Sequence, residues 1–217
     1  MFEATTLLER KATSGQPEIL AIQVARDDVF APHLDDPRIQ EACGSFGLSV
    51  DLLRKLLQVV PDARDYKLTG PTVFSIPDEE GRIEEDVSLW TVDLPGIGLT
   101  EVSINLLHPA AVKPYNNTSL HLITKHPPYQ EGDFEIIYGR RGLFKLTFPG
   151  LVEPIAPAVY GASRARDDVL VRPGTLVFIR APAANGWADV LKEPCVFGYI
   201  CNPPWSSQIA KKVLDLK

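Results

Sequence analysis

The residues best equipped for chemistry lie between positions 121 and 142, where His121, His126, Glu131 and Glu135 sit among runs of β-type sequence. An imidazole beside carboxylates can hold a divalent ion through converging nitrogen and oxygen donors. It can also pass a proton near neutral pH. His126 with Glu131 and Glu135 is a small donor set, compatible with a weakly held ion that prefers oxygen ligands and equally with no ion at all. Regular strand pairing puts Leu120, Leu122, Thr124 and His126 on one face and His121, Ile123 and Lys125 on the other. His126 is therefore the candidate, and His121 reads as a hydrogen-bonded or surface histidine.

Glu135 precedes the apolar run Ile136-Ile137-Tyr138. Projected into an apolar barrel, its charged form is disfavoured and its pKa raised, which makes a carboxylate a usable acid or base. A structural pairing with Arg140, Arg141 or His126 is the alternative. Lys113, Lys125, Arg140, Arg141, Lys145 and Arg180 concentrate positive charge near this stretch of an acidic chain. They read either as the lining for a phosphate or carboxylate or as solvated strand ends. Tyr129, Tyr138, Trp187 and Trp205 read as a pocket rim or as core.

The elements that must position these groups are mainly β. Candidate strands are 72–76, 85–93, 99–107, 119–125, 134–138, 143–148, 169–171, 175–179 and 195–201, separated by Gly and Pro. Many short strands without interspersed amphipathic helices argue for a closed barrel or sandwich and against a parallel α/β sheet. The strand from 134 is expected to end in a turn on Gly139 and Gly142, another turn falls on Pro173-Gly174, and 149–168 reads as a long connection. Ahead of the strands, Ile19 to Val24 alternates like an edge strand. Asp36 is placed to cap a helix opening on Pro37 and stopping near Gly44. Ser49 is placed to cap a second helix carrying Leu52, Leu53, Leu56, Leu57 and Val60 on one face, ended by Pro61. Residues 205–214 suggest a short C-terminal helix.

These segments resemble the paired motifs of the cupin superfamily. Glu135 and Gly142 keep a Glu-x6-Gly spacing, and Pro173, Gly174, Val177 and Ile179 keep a Pro-Gly-x-x-hydrophobic-x-hydrophobic run. Within the superfamily, Thr124-Lys125-His126, Glu135 and Pro173-Gly174-Thr175 are similar to the core of the cupin-type phosphoglucose isomerases, over residues 70 to 202. The resemblance implies a mainly β, double-stranded β-helix (cupin jelly roll), with an N-terminal, partly helical extension over 1–70 and a barrel with its C-terminal helix over 71–217. It implies a divalent metal (Fe, Mn, Ni or Zn) at His126, Glu131 and Glu135. Glu135 would move a proton between adjacent sugar carbons, with His126 as ligand or second acid. Thr124, Lys125, Arg141, Tyr138 and Asn185 would contact a small anionic substrate such as a sugar phosphate, in a homodimer. Two expected ligand histidines fall on Pro128 and Asn185, so the metal site is degenerate. The rival expectation is a metal-free, non-catalytic binding or sensor module.

With 217 residues, 45% of them hydrophobic, the chain is long and apolar enough to bury one sizeable core. A net charge of −6 without a long basic run argues against a general nucleic-acid binder. No apolar run reaches the length of a membrane-spanning helix, and the N-terminus does not read as a signal peptide. Cys43, Cys195 and Cys201 lack metal or redox spacing and read as reduced thiols, which suggests a cytoplasmic protein.

Overall fold

The computed structural model describes residues 4–11, 17–25, 32–58, 68–77, 80–108, 134–156, 159–180 and 186–204. In chain order they form β1 (Thr5–Lys11), β2 (Pro17–Gln23), a 3-10 turn (Pro32–Asp35), α1 (Pro37–Ser45) and α2 (Val50–Gln58). There follow β3 (Leu68–Pro77), β4 (Ile83–Leu94), β5 (Gly98–Leu107), β6 (Phe134–Ala156), β7 (Val159–Val171), β8 (Thr175–Arg180) and β9 (Gly186–Asn202). The described residues are mainly β and form an antiparallel jelly-roll sheet of nine strands. Its order is β1-β2-β8-β6-β9-β5-β4-β3, with β7 added to β6.

Both helices begin where local chemistry dictates. The Asp36 carboxylate accepts from the Arg38 backbone N–H at 2.9 Å with Pro37 in the first position, and the Ser49 hydroxyl accepts from the Leu52 N–H at 3.1 Å. Leu53, Leu56 and Leu57 of α2 and Ile39, Ala42 and Cys43 of α1 are buried against one face of the sheet, on Leu20, Ile22, Ile136, Tyr138, Phe178 and Ile200. Phe46, just past α1, stacks on Phe134 with ring centroids 4.7 Å apart. The opposite face builds a second core from Ile19, Ala21, Ile137, Val177, Ile179 and Phe197 together with Phe144, Leu146, Phe148, Val169 and Val171.

That second core exists because β6 bends. Its first part, 134–138, pairs with β8 and β9, and its continuation from 144 pairs with β7 and the start of β9. Register shifts between Gly139 and Phe144 mark the bend as a bulge. At Gly142, φ is +81° and an added Cβ would lie 2.5 Å from the carbonyl oxygens of Lys192 and Pro194, so only glycine fits. The strand from 134 does not end in a turn at Gly139 and Gly142 but continues through a bulge, since a glycine at positive φ serves either device. The expected connection over 149–168 is instead strand over 149–156 and 159–168, which supply the paired ends of β6 and β7. The segment 19–24 is not an edge, because β2 has β1 on one side and β8 on the other. The expected strand 119–125 and helix 205–214 lie outside the described residues. No described helix is long and apolar enough to cross a membrane.

Candidate functional site on the interior face

The side of the sheet that carries the second core also carries polar groups. Across β6, β9 and β5 the register aligns Glu135 with Cys201 and Cys201 with Glu101. The next row is Ile137, Tyr199 and Ser103, and the row beyond it is Gly139, Phe197 and Asn105. Side chains that face each other across such rows are about 5 Å apart. Glu135 is 7% exposed, Glu101 3%, Ser103 1% and Asn105 7%. Glu85 of β4, opposite Leu107, is 9% exposed and accepts a hydrogen bond from the Asn105 side-chain amide.

Burial in low-dielectric surroundings sets the acidities on this face. Desolvation pushes Glu85 up to about 7, with Glu84 adding to the rise and the Asn105 hydrogen bond opposing it. Tyr199 keeps partial exposure as a residue, yet desolvation of its phenol, together with the neighbouring Cys201 and Glu135, holds it well above the ordinary phenol range. Hydrogen bonds link the same phenol to Glu135 and Cys201. At neutral pH Tyr199 is therefore a neutral O–H beside a carboxylic group, which is an arrangement able to donate to a developing oxyanion.

The Pro173-Gly174-Thr175 turn is locked to this sheet by Gln23. Its amide donates to the Pro173 carbonyl at 2.8 Å, and its oxygen accepts from the Thr175 hydroxyl at 2.8 Å and from the Arg172 Nε at 3.0 Å. The Gly174 N–H donates to the Gly139 carbonyl at 2.9 Å, so the turn also fixes the bend of β6 beside β8.

Among the residues expected to form the site, Glu135 lies on the interior face. Tyr138 does not: three positions along the strand it points the opposite way and is fully buried beneath the helices. Arg141 is exposed at the bulge, and the structure does not bring it to Glu135. His126, Glu131, Thr124, Lys125 and Asn185 lie outside the described residues. Arg140 and Arg180 are occupied elsewhere, since each projects to the helix side and donates to a helix-terminal carbonyl, Arg140 to that of Leu57 and Arg180 to that of Ser45. Lys145 lies 3.9 Å from Asp168. Among the described residues no three His, Cys, Asp or Glu converge on a metal position. The donors around Glu135 in this part of the face, a thiol and a phenol, do not by themselves make one. Glu101, Ser103, Asn105, Glu85 and Tyr199 were not anticipated from sequence. Their one signal was the polar alternation of Glu101, Ser103 and Asn105 along β5.

No protein-family model matches the chain. No curated protein matches it either. Solved structures share its outline at low identity. The formate complex of Lactobacillus farciminis oxalate decarboxylase is 15% identical with a TM-score of 0.38, over 67% of this chain and 39% of that one. HppE in its Fe(II) form with an alternative substrate is 9% identical with a TM-score of 0.40, over 80% and 75%. Drosophila melanogaster CENP-C bound to CAL1 is 10% identical with a TM-score of 0.35, over 69% and 91%.

Proposed function

We propose that this chain takes a small hydroxylated metabolite of the sugar-phosphate kind against the interior face, and that Glu135 acts there as the proton carrier of an isomerase. The observation that carries this reading is the buried Glu135 carboxyl in hydrogen-bonding contact with the Tyr199 phenol. Glu135 takes a proton from the carbon beside a carbonyl and returns it to the neighbouring carbon. The neutral Tyr199 phenol donates a hydrogen bond to the carbonyl oxygen on which charge develops, and the proton of the neighbouring hydroxyl passes to that oxygen, so the carbonyl re-forms where the hydroxyl stood. Water is kept from this exchange by the apolar wall of Ile137, Val177, Ile179 and Phe197.

The anionic end of the substrate falls in this reading to Thr124 and Lys125, which the resemblance to the isomerases assigns to it. A divalent ion at His126, Glu131 and Glu135 is likewise supplied by that resemblance. It would polarise the substrate oxygens when bound. The second reading, a metal-free binding or sensor module, is favoured by Pro128 and Asn185 standing where ligand histidines are expected.

The test combines metal analysis of protein purified without chelators with incubation of sugar phosphates in D2O, with and without divalent ions. Deuterium appearing at the carbon beside the carbonyl, and its loss in Glu135→Gln, support the isomerase. Ligand-induced rises in melting temperature without any deuterium incorporation support the module. If no phosphorylated sugar binds at all, the isomerase reading is dropped.

A further inference from the structure

Two polar atoms on the interior face have no hydrogen-bond partner, the Ser103 hydroxyl and the Asn105 side-chain oxygen. Both residues are more than nine-tenths buried and lie two positions apart on β5, so both face inward beside Phe197 and Tyr199. The orientation of Asn105 is fixed, since its nitrogen is spent on Glu85 and its oxygen is left as a pure acceptor. Ser103 can both donate and accept. Buried polar groups in folded proteins are nearly always satisfied, and a pair left open on a face that also bears Glu85, Glu101 and Glu135 points to something that completes it.

We propose that Ser103 and Asn105 form a hydroxyl-recognition subsite that takes neighbouring hydroxyl groups of an uncharged polyol segment. One ligand hydroxyl donates to the Asn105 oxygen and its neighbour accepts from the Ser103 O–H, satisfying both open positions. An ammonium has no acceptor and leaves the Ser103 proton unpaired. A phosphate at this place brings further negative charge to a face that already bears three carboxyl groups. The positions in register with Ser103 and Asn105 are Leu89, Tyr199, Val87 and Phe197, none of them basic, and Arg10 of β1, in register with Ile19 on the same face, is engaged with Asp167 and the Phe148 carbonyl. The inference rests on the interior face being a ligand site and adds which part of the ligand lies where: the neutral, hydroxyl-bearing portion along β5, away from any anionic end.

The test is ligand-observed NMR and calorimetry on the full chain with xylitol, with 1,4-diaminobutane and inorganic phosphate as controls. Xylitol binds the wild type. Ser103→Ala, which removes a single atom, weakens xylitol about tenfold with the melting temperature held, and Ser103→Thr restores it. Unchanged xylitol binding in Ser103→Ala overturns the subsite, as does binding of the diamine or phosphate in place of xylitol, or no xylitol binding by the wild type. Ser103-dependent xylitol binding without deuterium incorporation removes the isomerase reading and leaves the subsite standing. Deuterium incorporation with Ser103-independent binding does the reverse.

Discussion

Glu135 and Glu101 stand on either side of Cys201 in one cross-strand row, two carboxyl groups two strands apart on the interior face. The spacing of strands puts their backbones about 9.5 Å from each other. Glu135 has the Tyr199 phenol beside it. If it carries the proton, Glu135→Gln lowers turnover by about 10²- to 10⁴-fold while substrate affinity and melting temperature change little. Steady-state kinetics beside a thermal melt measures both.

Glu85 gives the fold a pH dependence with a definite sign. Its folded pKa is about 7 against 4.5 for the free group, so the folded state holds the proton more tightly. The stabilisation is complete below about pH 4.5 and is lost as pH rises through 7. Its full size is on the order of a few kcal/mol. Urea midpoints at pH 5 and pH 7.5 should show this fall in the wild type and a flatter profile in Glu85→Gln.

Arg180 couples the helices to the sheet. Its guanidinium donates to the carbonyl of Ser45 at the end of α1 and lies 4.8 Å from the centre of the Phe46 ring. Arg180→Met removes a charge-assisted bond at a helix C-terminus and leaves the carbonyl open, at a cost of about 1 to 3 kcal/mol. Hydrogen exchange should speed up in α1 before it does so in β8.

Gly142→Ala tests the bulge. A methyl group there meets two carbonyl oxygens and a backbone conformation that alanine disfavours. A loss of about 2 to 4 kcal/mol is expected, read from denaturant midpoints. An alanine variant as stable as the wild type would mean that β6 does not bend there.

The sequence made legible the helix caps, the outlines of β4, β5 and β8, and the inward facing of Glu135. The caps were legible because Asp36 and Ser49 act within two or three residues of themselves. The bend of β6 was not, because Gly-Arg-Arg-Gly writes a hairpin and a bulge alike, and only the partner strand β9 tells them apart. The polar members of the interior face were hidden for a different reason. In β5, Glu101, Ser103 and Asn105 alternate with Val102, Ile104 and Leu106, the pattern of a strand with one wet side. The polar side is nonetheless buried, a long-range outcome that no local pattern records. Tyr138 misled through the same period of two, since its neighbourhood in sequence to Glu135 places it on the far side.

Since β6 and β9 each run through both layers of the roll, the same two backbones carry the hydrogen bonds of the helix-backed part and of the part that covers the interior. A break in either ladder is felt by both. Slow amide exchange along β6 and β9 should accordingly collapse in a single concerted step, the two halves of each strand losing protection together.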